Sequence, residues 1–329
     1  MHRVAAALAC FALLALMAAS GESARADEPY PSKPIRLVLP QPAGGAVDLI
    51  ARTLGDRLSY ALRQPVIVEN QPGANGGLAA GQVARAAPDG YTILMAPSPV
   101  MAINVALHKK LPYDPAVDFV PVALVVATPY VLVVTPSLSV QSVADLVKLA
   151  KARPGQLAFA SAGLGTPHHL FAQLFKGMTG VEMTHVPYRG SVPALTDVAA
   201  GHVQLMFCDI PPALGLINEG KVRALGVSTK ERVAALPDLA SLAEQGLADF
   251  DAASWQMVAA PAATPKDIVE RLHAEIKDFM VQPETKDHAF KMGLLPIDTP
   301  SVASLRVFVQ TEITRWGKVV EQAGIAGSQ

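Results

Sequence analysis

Two cysteines, two tryptophans and a charged fraction of 17% are few for a chain of 329 residues, and each scarcity excludes something. Cys10 and Cys208 cannot build a disulfide framework, and no Cys/His spacing suits zinc. Charge of either sign is not in excess, with 27 Lys and Arg against 28 Asp and Glu. No basic run is present, so the electrostatic footprint of a nucleic-acid or anionic-membrane binder is missing. Apolar runs long enough for a bilayer, about 20 residues, are missing as well, despite a mean hydropathy of +0.31. The 24 Gly and 27 Pro follow no period, and 51% of residues are hydrophobic, so collagen-like, low-complexity and disordered chains are excluded too.

What is there begins with a leader. Arg3 precedes the apolar residues 4–19, and Ala24-Arg25-Ala26 supplies an A-x-A cleavage pattern, so residues 1–26 are expected to be a secretory signal peptide. Cys10 leaves with it and Cys208 remains alone. The rest is long enough for two domains. Strands are expected at 35–39, 66–69 and 91–96, with a helix over 47–62 whose Leu49, Ile50, Leu54 and Leu58 share one side, and a second helix up to Ala87. After Pro129 the pattern restarts. Strands at 131–134, 157–160, 182–186, 203–207 and 224–228 alternate with a helix at 142–152, opened by a Ser142-x-x-Asp145 capping box, and one through Leu170, Leu174 and Phe175. Strand, loop, helix and strand at this spacing imply right-handed βαβ units and a mostly parallel sheet. Thr264, Pro265 and Asp267 are expected to cap a helix with Ile268, Leu272, Ile276 and Phe279 in one stripe, and a last helix covers 302–322.

Enzyme signatures fail one by one. Ser161 lacks the first Gly of a G-x-S-x-G elbow, and Gly163-Leu-Gly165 lacks the third Gly of a dinucleotide cradle. His168, His169 and His185 follow no metal-binding spacing, and the adjacent pair reads as one exposed and one packed imidazole. No cofactor or metal is implied. Present instead are two Gly-rich turns, 42–48 and 161–166, each opening a helix. Free N–H groups and the positive helix end can hold a carboxylate there without Lys or Arg, with Ser161 and Thr166 as hydroxyl donors. The same glycines also suit ordinary βα turns. Asp48 reads first as a helix N-terminal residue, and Asp209, after an apolar strand, can face a cleft, as can Tyr188 and Arg189.

Tyr30-Pro-Ser-Lys-Pro-Ile-Arg-Leu-Val-Leu-Pro, the Pro-x-Gly44-Gly45-x-x-Asp48 loop, Val68-Glu-Asn70-Gln-Pro-Gly73, Pro88-Asp-Gly-Tyr91, His185-Val-Pro-Tyr-Arg-Gly190 and Ala260-Pro-Ala-Ala-Thr264-Pro, in this order, resemble the Bug family, the solute receptors of tripartite tricarboxylate transporters. The resemblance implies an α/β, two-lobed periplasmic-binding-protein (Venus flytrap) fold, with lobe one at 27–128 plus 252–329 and lobe two at 129–251. It implies a periplasmic monomer that grips a small carboxylate between the lobes and delivers it to a membrane permease, not an enzyme. The candidate ligand-binding residues are Gly44, Gly45, Ala46, Val47, Asp48, Ser98, Ser161, Gly163, Gly165, Thr166, His169 and Asp209. A ligand sensor for a membrane histidine kinase is the second reading. A secreted hydrolase is the third, and it would depend on Ser161. Against the family pattern, Val47 replaces a frequent Thr, Cys208 and then Asp209 stand where an acid often directly follows Met206-Phe207, and Gln41 stands for an aromatic. A cleft with fewer hydroxyls is expected to favour a more apolar or aromatic acid.

Overall fold

The computed structural model describes residues 30–329; the expected leader, with Cys10, lies outside the described residues. The elements are β1 (Ile35–Leu39), α1 (Ala46–Leu62), β2 (Val66–Asn70), α2 (Gly77–Ala84), β3 (Thr92–Pro97), α3 (Asn104–Leu107), β4 (Phe119–Val134), α4 (Val143–Ala152), β5 (Ala158–Ser161), α5 (Pro167–Thr179), β6 (Thr184–Pro187), α6 (Ser191–Ala200), β7 (Leu205–Asp209), α7 (Ile210–Asn218), β8 (Arg223–Val227), β9 (Ala253–Pro261), α8 (Lys266–Met280), α9 (Pro283–Lys291), β10 (Leu295–Pro296) and α10 (Val302–Gln322).

The strands follow one path, β2-β1-β3-β9-β4-β7-β5-β6, with β8 and β10 also pairing β4. The βαβ units expected from sequence give two parallel groups: β1 between β2 and β3, and β5 between β6 and β7. The connecting pairs β3–β9, β9–β4 and β4–β7 are antiparallel, as are β8 and β10 on β4. The sheet is therefore mixed, because β4 and β9 run against the strands they join.

A single strand of 16 residues replaces the short one expected after Pro129. Proline lacks the ladder N–H and normally argues against a strand interior. Here the register shifts just after Pro121, and Pro129, opposite Ala253, is the last residue of β4 to pair with β9. From Tyr130 onward β4 pairs with β7. Both prolines thus fall where the ladder is interrupted or changes partner.

Helix α1 buries Ile50, Leu54, Leu58 and Leu62, one residue per turn, on the sheet. Leu49 is 47% exposed, so the inward face begins at Ile50. Helix α4 has the expected cap: Ser142 Oγ accepts from Asp145 N–H at 3.1 Å, and Asp145 Oδ2 accepts from Gln141 N–H at 3.1 Å. Helix α8 buries its Ile268, Leu272, Ile276 and Phe279 stripe. Thr264 does not cap it: Pro265 takes the N-cap position and Thr264 Oγ1 is buried without a partner. No described helix is long and apolar enough to cross a membrane.

Candidate ligand-binding site

Four helices start at one cavity of about 720 Å³. Gly45 to Asp48 bring the start of α1, Thr166 and His168 that of α5, Gly190 and Ser191 that of α6, and Asp209, Pro211 and Pro212 that of α7. Gln41, Thr128, Tyr130, Ser254, Gln256 and the 292–294 segment complete the wall. The first N–H groups of a helix have no partner within it, and the positive end of the helix dipole lies there. Such a cavity stabilises negative charge through peptide groups. Its lining contains no Lys or Arg among the described residues, and no group of three or more His, Cys, Asp or Glu among them is placed to hold a metal.

Each Gly-rich turn is fixed from behind. In the first, Asp48 accepts from Gly44 N–H at 2.9 Å, from Asn70 Nδ2 at 2.9 Å and from Arg52 at 3.0 and 3.1 Å. Burial favours its protonated form, but these four donors outweigh it and hold the carboxyl at about 2. In the second, Gly163 and Gly165 take φ values of 131° and 72° that favour glycine. Gly165 N–H donates to His169 Nδ1 at 3.2 Å, Ser161 Oγ shares a 2.6 Å bond with His185 Nε2, and Thr166 Oγ1 donates to Gly163 O at 2.7 Å. The rings of His169 and His185 stack at 3.9 Å, and Phe159 stacks on His185 at 5.0 Å. The hydroxyls of Ser161 and Thr166, expected to reach a ligand, are thus engaged inside the loop. Ser161 is 0% exposed, so the hydroxyl on which the hydrolase reading depends is buried within the loop rather than presented to the cavity.

Both stacked imidazoles are neutral. Burial first, then the repulsion a second charge would meet beside His185 and Lys176, pushes His169 down to about 3; burial and Lys176 push His185 to about 4. Against an ordinary value of 6.5, the unfolded chain binds more protons than the folded one between pH 6.5 and 4. Stability is therefore present near neutral pH and lost as pH falls through this window. Each imidazole contributes a slope of up to about 1.4 kcal/mol per pH unit. Urea denaturation from pH 7 to 4 is expected to show this loss, and His185→Gln should flatten it. A wild-type curve level across that range would refute the account.

Asp209 closes β7 and lines the cavity, while Cys208 before it is fully buried, since successive strand residues point to opposite faces. Burial pushes the Cys208 thiol well up. His168 Nε2 donates to Asp209 Oδ2 at 3.0 Å. Burial opposes ionisation of Asp209, but His168 and the Tyr130 hydroxyl hold its carboxyl below the usual range. Burial and this carboxylate push the Tyr130 phenol up, so it stays a donor.

Of the residues singled out from sequence, Gly45, Ala46, Val47, Asp48, Thr166 and Asp209 line the cavity. Gly44, Ser161, Gly163, Gly165 and His169 stand behind it as the loop framework, and Ser98 is buried against Ser254 Oγ at 3.1 Å. The adjacent histidines are not one exposed and one packed: both are buried, because His168 is drawn to Asp209 and His169 to Gly165. Sequence reasoning missed Gln41 as a wall residue, and also Tyr130, His168, Ser254 and Gln256. Gln256 carries a signal, a polar residue within an otherwise apolar stretch from Trp255 to Ala260, although β9 is not among the strands expected from sequence.

A mixed sheet with two parallel groups, crossing strands between them and a cavity at converging helix starts defines the two-lobed fold of a periplasmic binding protein. The chain matches the family described as "Tripartite tricarboxylate transporter family receptor" over residues 50–325. Protein BugT of Bordetella pertussis is 36% identical over 90% of this chain and 90% of its own. Among solved structures, R. palustris Rpa4515 with adipate shares 38% identity and a TM-score of 0.78, over 90% of this chain and 99% of that one. MatC from Rhodopseudomonas palustris with bound malate shares 33% identity and a TM-score of 0.74, over 88% and 100%. The chain belongs to this family of solute-binding receptors, the Bug receptors.

Proposed function

We propose that the chain is an exported periplasmic receptor that captures a small organic acid in this cavity and delivers it to the membrane permease of a tripartite tricarboxylate transporter. The observation that carries the reading is the cavity at four helix starts, of which those of α1, α5 and α6 offer peptide N–H groups to an anion while α7 opens with Pro211 and Pro212, which have none; its lining contains no Lys or Arg among the described residues. Carboxylates bound to two relatives, adipate and malate, support it. The lobes are taken as 27–128 plus 252–329 and 129–251, meeting where β4 changes from β9 to β7 at Pro129 and Tyr130. Closure about these strands brings the start of α1 to that of α5, and an acid touching both favours the closed state.

A thermal-shift panel of short mono- and dicarboxylates, each beside its uncharged amide, tests the capture step. An acid at a hundred times its Kd should stabilise the protein by about 2.7 kcal/mol, its amide far less. Equal effects of acids and amides, or none, would sink the reading. Delivery is read separately, as acid uptake by cells that need both this receptor and the permease.

A further inference from the structure

A second chamber, of about 320 Å³, adjoins the large cavity. Gln41, Pro42, Tyr130 and Ser254 line both spaces, so the two share a wall. Their chemistry differs. The large cavity holds the starts of α1 and α6 and the carboxylates of Asp48 and Asp209, whereas no charged side chain lines the chamber. Six of its twelve lining residues are prolines, Pro40, Pro42, Pro72, Pro97, Pro99 and Pro167, and none of these has a peptide N–H to offer an anion. Most of its polar groups are spent elsewhere. Ser254 Oγ shares a 3.1 Å bond with Ser98, Asn75 Nδ2 donates to Asn104 Oδ1 at 3.3 Å, and Gly76 N–H donates to Gly73 O at 2.9 Å. Pro167 is also the first residue of α5, so the chamber lies directly beside one of the helix starts. Its floor is held in place: Gly73, Ala74, Asn75 and Gly76 take φ values of 137°, 46°, 52° and 85° in succession, and side chains accept such backbone only where the surroundings fix it. Asn104, 0% exposed, does so by donating to Asn75 O and to the Tyr113 hydroxyl, each at 3.2 Å.

We infer that the chamber is a ring-binding subsite and that the captured acids are aromatic carboxylates, the carboxylate lying at the helix starts and the flat ring among the prolines. The inference rests on the carboxylate reading above. An uncharged lining short of peptide donors has nothing to hold a carboxylate with, but it covers a carbon body well. Prolines favour a ring in particular. Their C–H groups next to the amide nitrogen carry partial positive charge and meet the negative face of an aromatic ring, the complementarity by which proline-rich segments dock on aromatic grooves. Proline has no rotamers to freeze when a ligand arrives. A ring likewise has no internal torsions to fix, whereas a linear acid of the same size loses several.

Titration calorimetry at pH 7.5 with benzoate, phenylacetate and 3-phenylpropionate sets the ring at increasing distance from the carboxylate. Each is compared with its cyclohexyl counterpart and with the linear acid of equal carbon number. The best of the aromatic acids should bind about tenfold more tightly than its linear counterpart and about threefold more tightly than its cyclohexyl one. Pro72→Ala, at an exposed turn, should lower the advantage over the linear acid, and Pro72→Ala combined with Pro99→Ala should bring it to about threefold or less. A linear or cyclohexyl acid that binds as tightly as that aromatic acid overturns the inference alone, as does an advantage unchanged in both variants. Failure of every acid to bind, in this set and in the panel of short carboxylates, overturns the carboxylate reading and the inference with it.

Discussion

Replacing Gly165 by Ala is expected to cost about 3 kcal/mol of stability and to weaken binding of the captured acid about tenfold or more. Two effects combine. The residue sits at φ 72°, where an L-side chain is strained by about 1 kcal/mol. An added Cβ would also clash with Leu107 Cδ2 and lie 3.2 Å from its Cγ. Leu107 ends α3 and is 0% exposed, so it has no room to withdraw, and the loop must give way. The loop then pulls the Gly165 N–H from His169 Nδ1 and shifts the start of α5. The cycle with Leu107→Ala isolates the clash: in that background the same glycine replacement should be milder by about 1 to 2 kcal/mol. Strict additivity in urea midpoints would mean that Leu107 is not the obstacle. Calorimetry on the same proteins reads the binding loss.

Much of this arrangement was legible in the residues. Two Gly-rich turns, each after an apolar strand and before a helix, point to helix starts at the ends of parallel strands, and both reach the cavity through Gly45 to Asp48 and Thr166. The capping box at Ser142 and Asp145 was legible because it is local. What was not legible depends on partners far along the chain. The strand expected at 131–134 is only the end of β4, and only the pairing with β9 and β7 shows that the ladder runs on through residues 119–130, with its register shift after Pro121 and its change of partner after Pro129. The sequence offers Ser161 as a ligand donor, and its partner in the fold, His185, lies 24 residues away. His168 and Asp209 are 41 residues apart, and nothing in their spacing announces that they face one cavity. The low charge of the sequence gains a physical meaning under the proposed function: a receptor that holds an acid by peptide groups at helix starts has little need of lysine or arginine at the contact.

The other large effect lies in the core. Glu312, on α10, is 6% exposed, and its Oε2 accepts from the indole N–H groups of both tryptophans, Trp255 at 2.8 Å and Trp316 at 3.0 Å. Arg315 reaches its Oε1 at 3.4 Å and also donates to Asp251 O. The pairing ties α10 to the connecting strand β9, and Trp316 stacks on Phe171 of α5 at 5.6 Å, so the two tryptophans that Glu312 orients join three elements of the core. Glu312→Ala leaves two indole donors buried without an acceptor, each unfavourable by about 1 to 3 kcal/mol, and opens a void between the rings. The expected loss is about 4 kcal/mol, read from the urea midpoint at an unchanged m-value. Glu312→Gln keeps an oxygen for the indoles and loses only the charge, so its loss should be about 1 to 2 kcal/mol. Equal losses for the two variants would show that the charge of Glu312, rather than its acceptor oxygen, is what the tryptophans require.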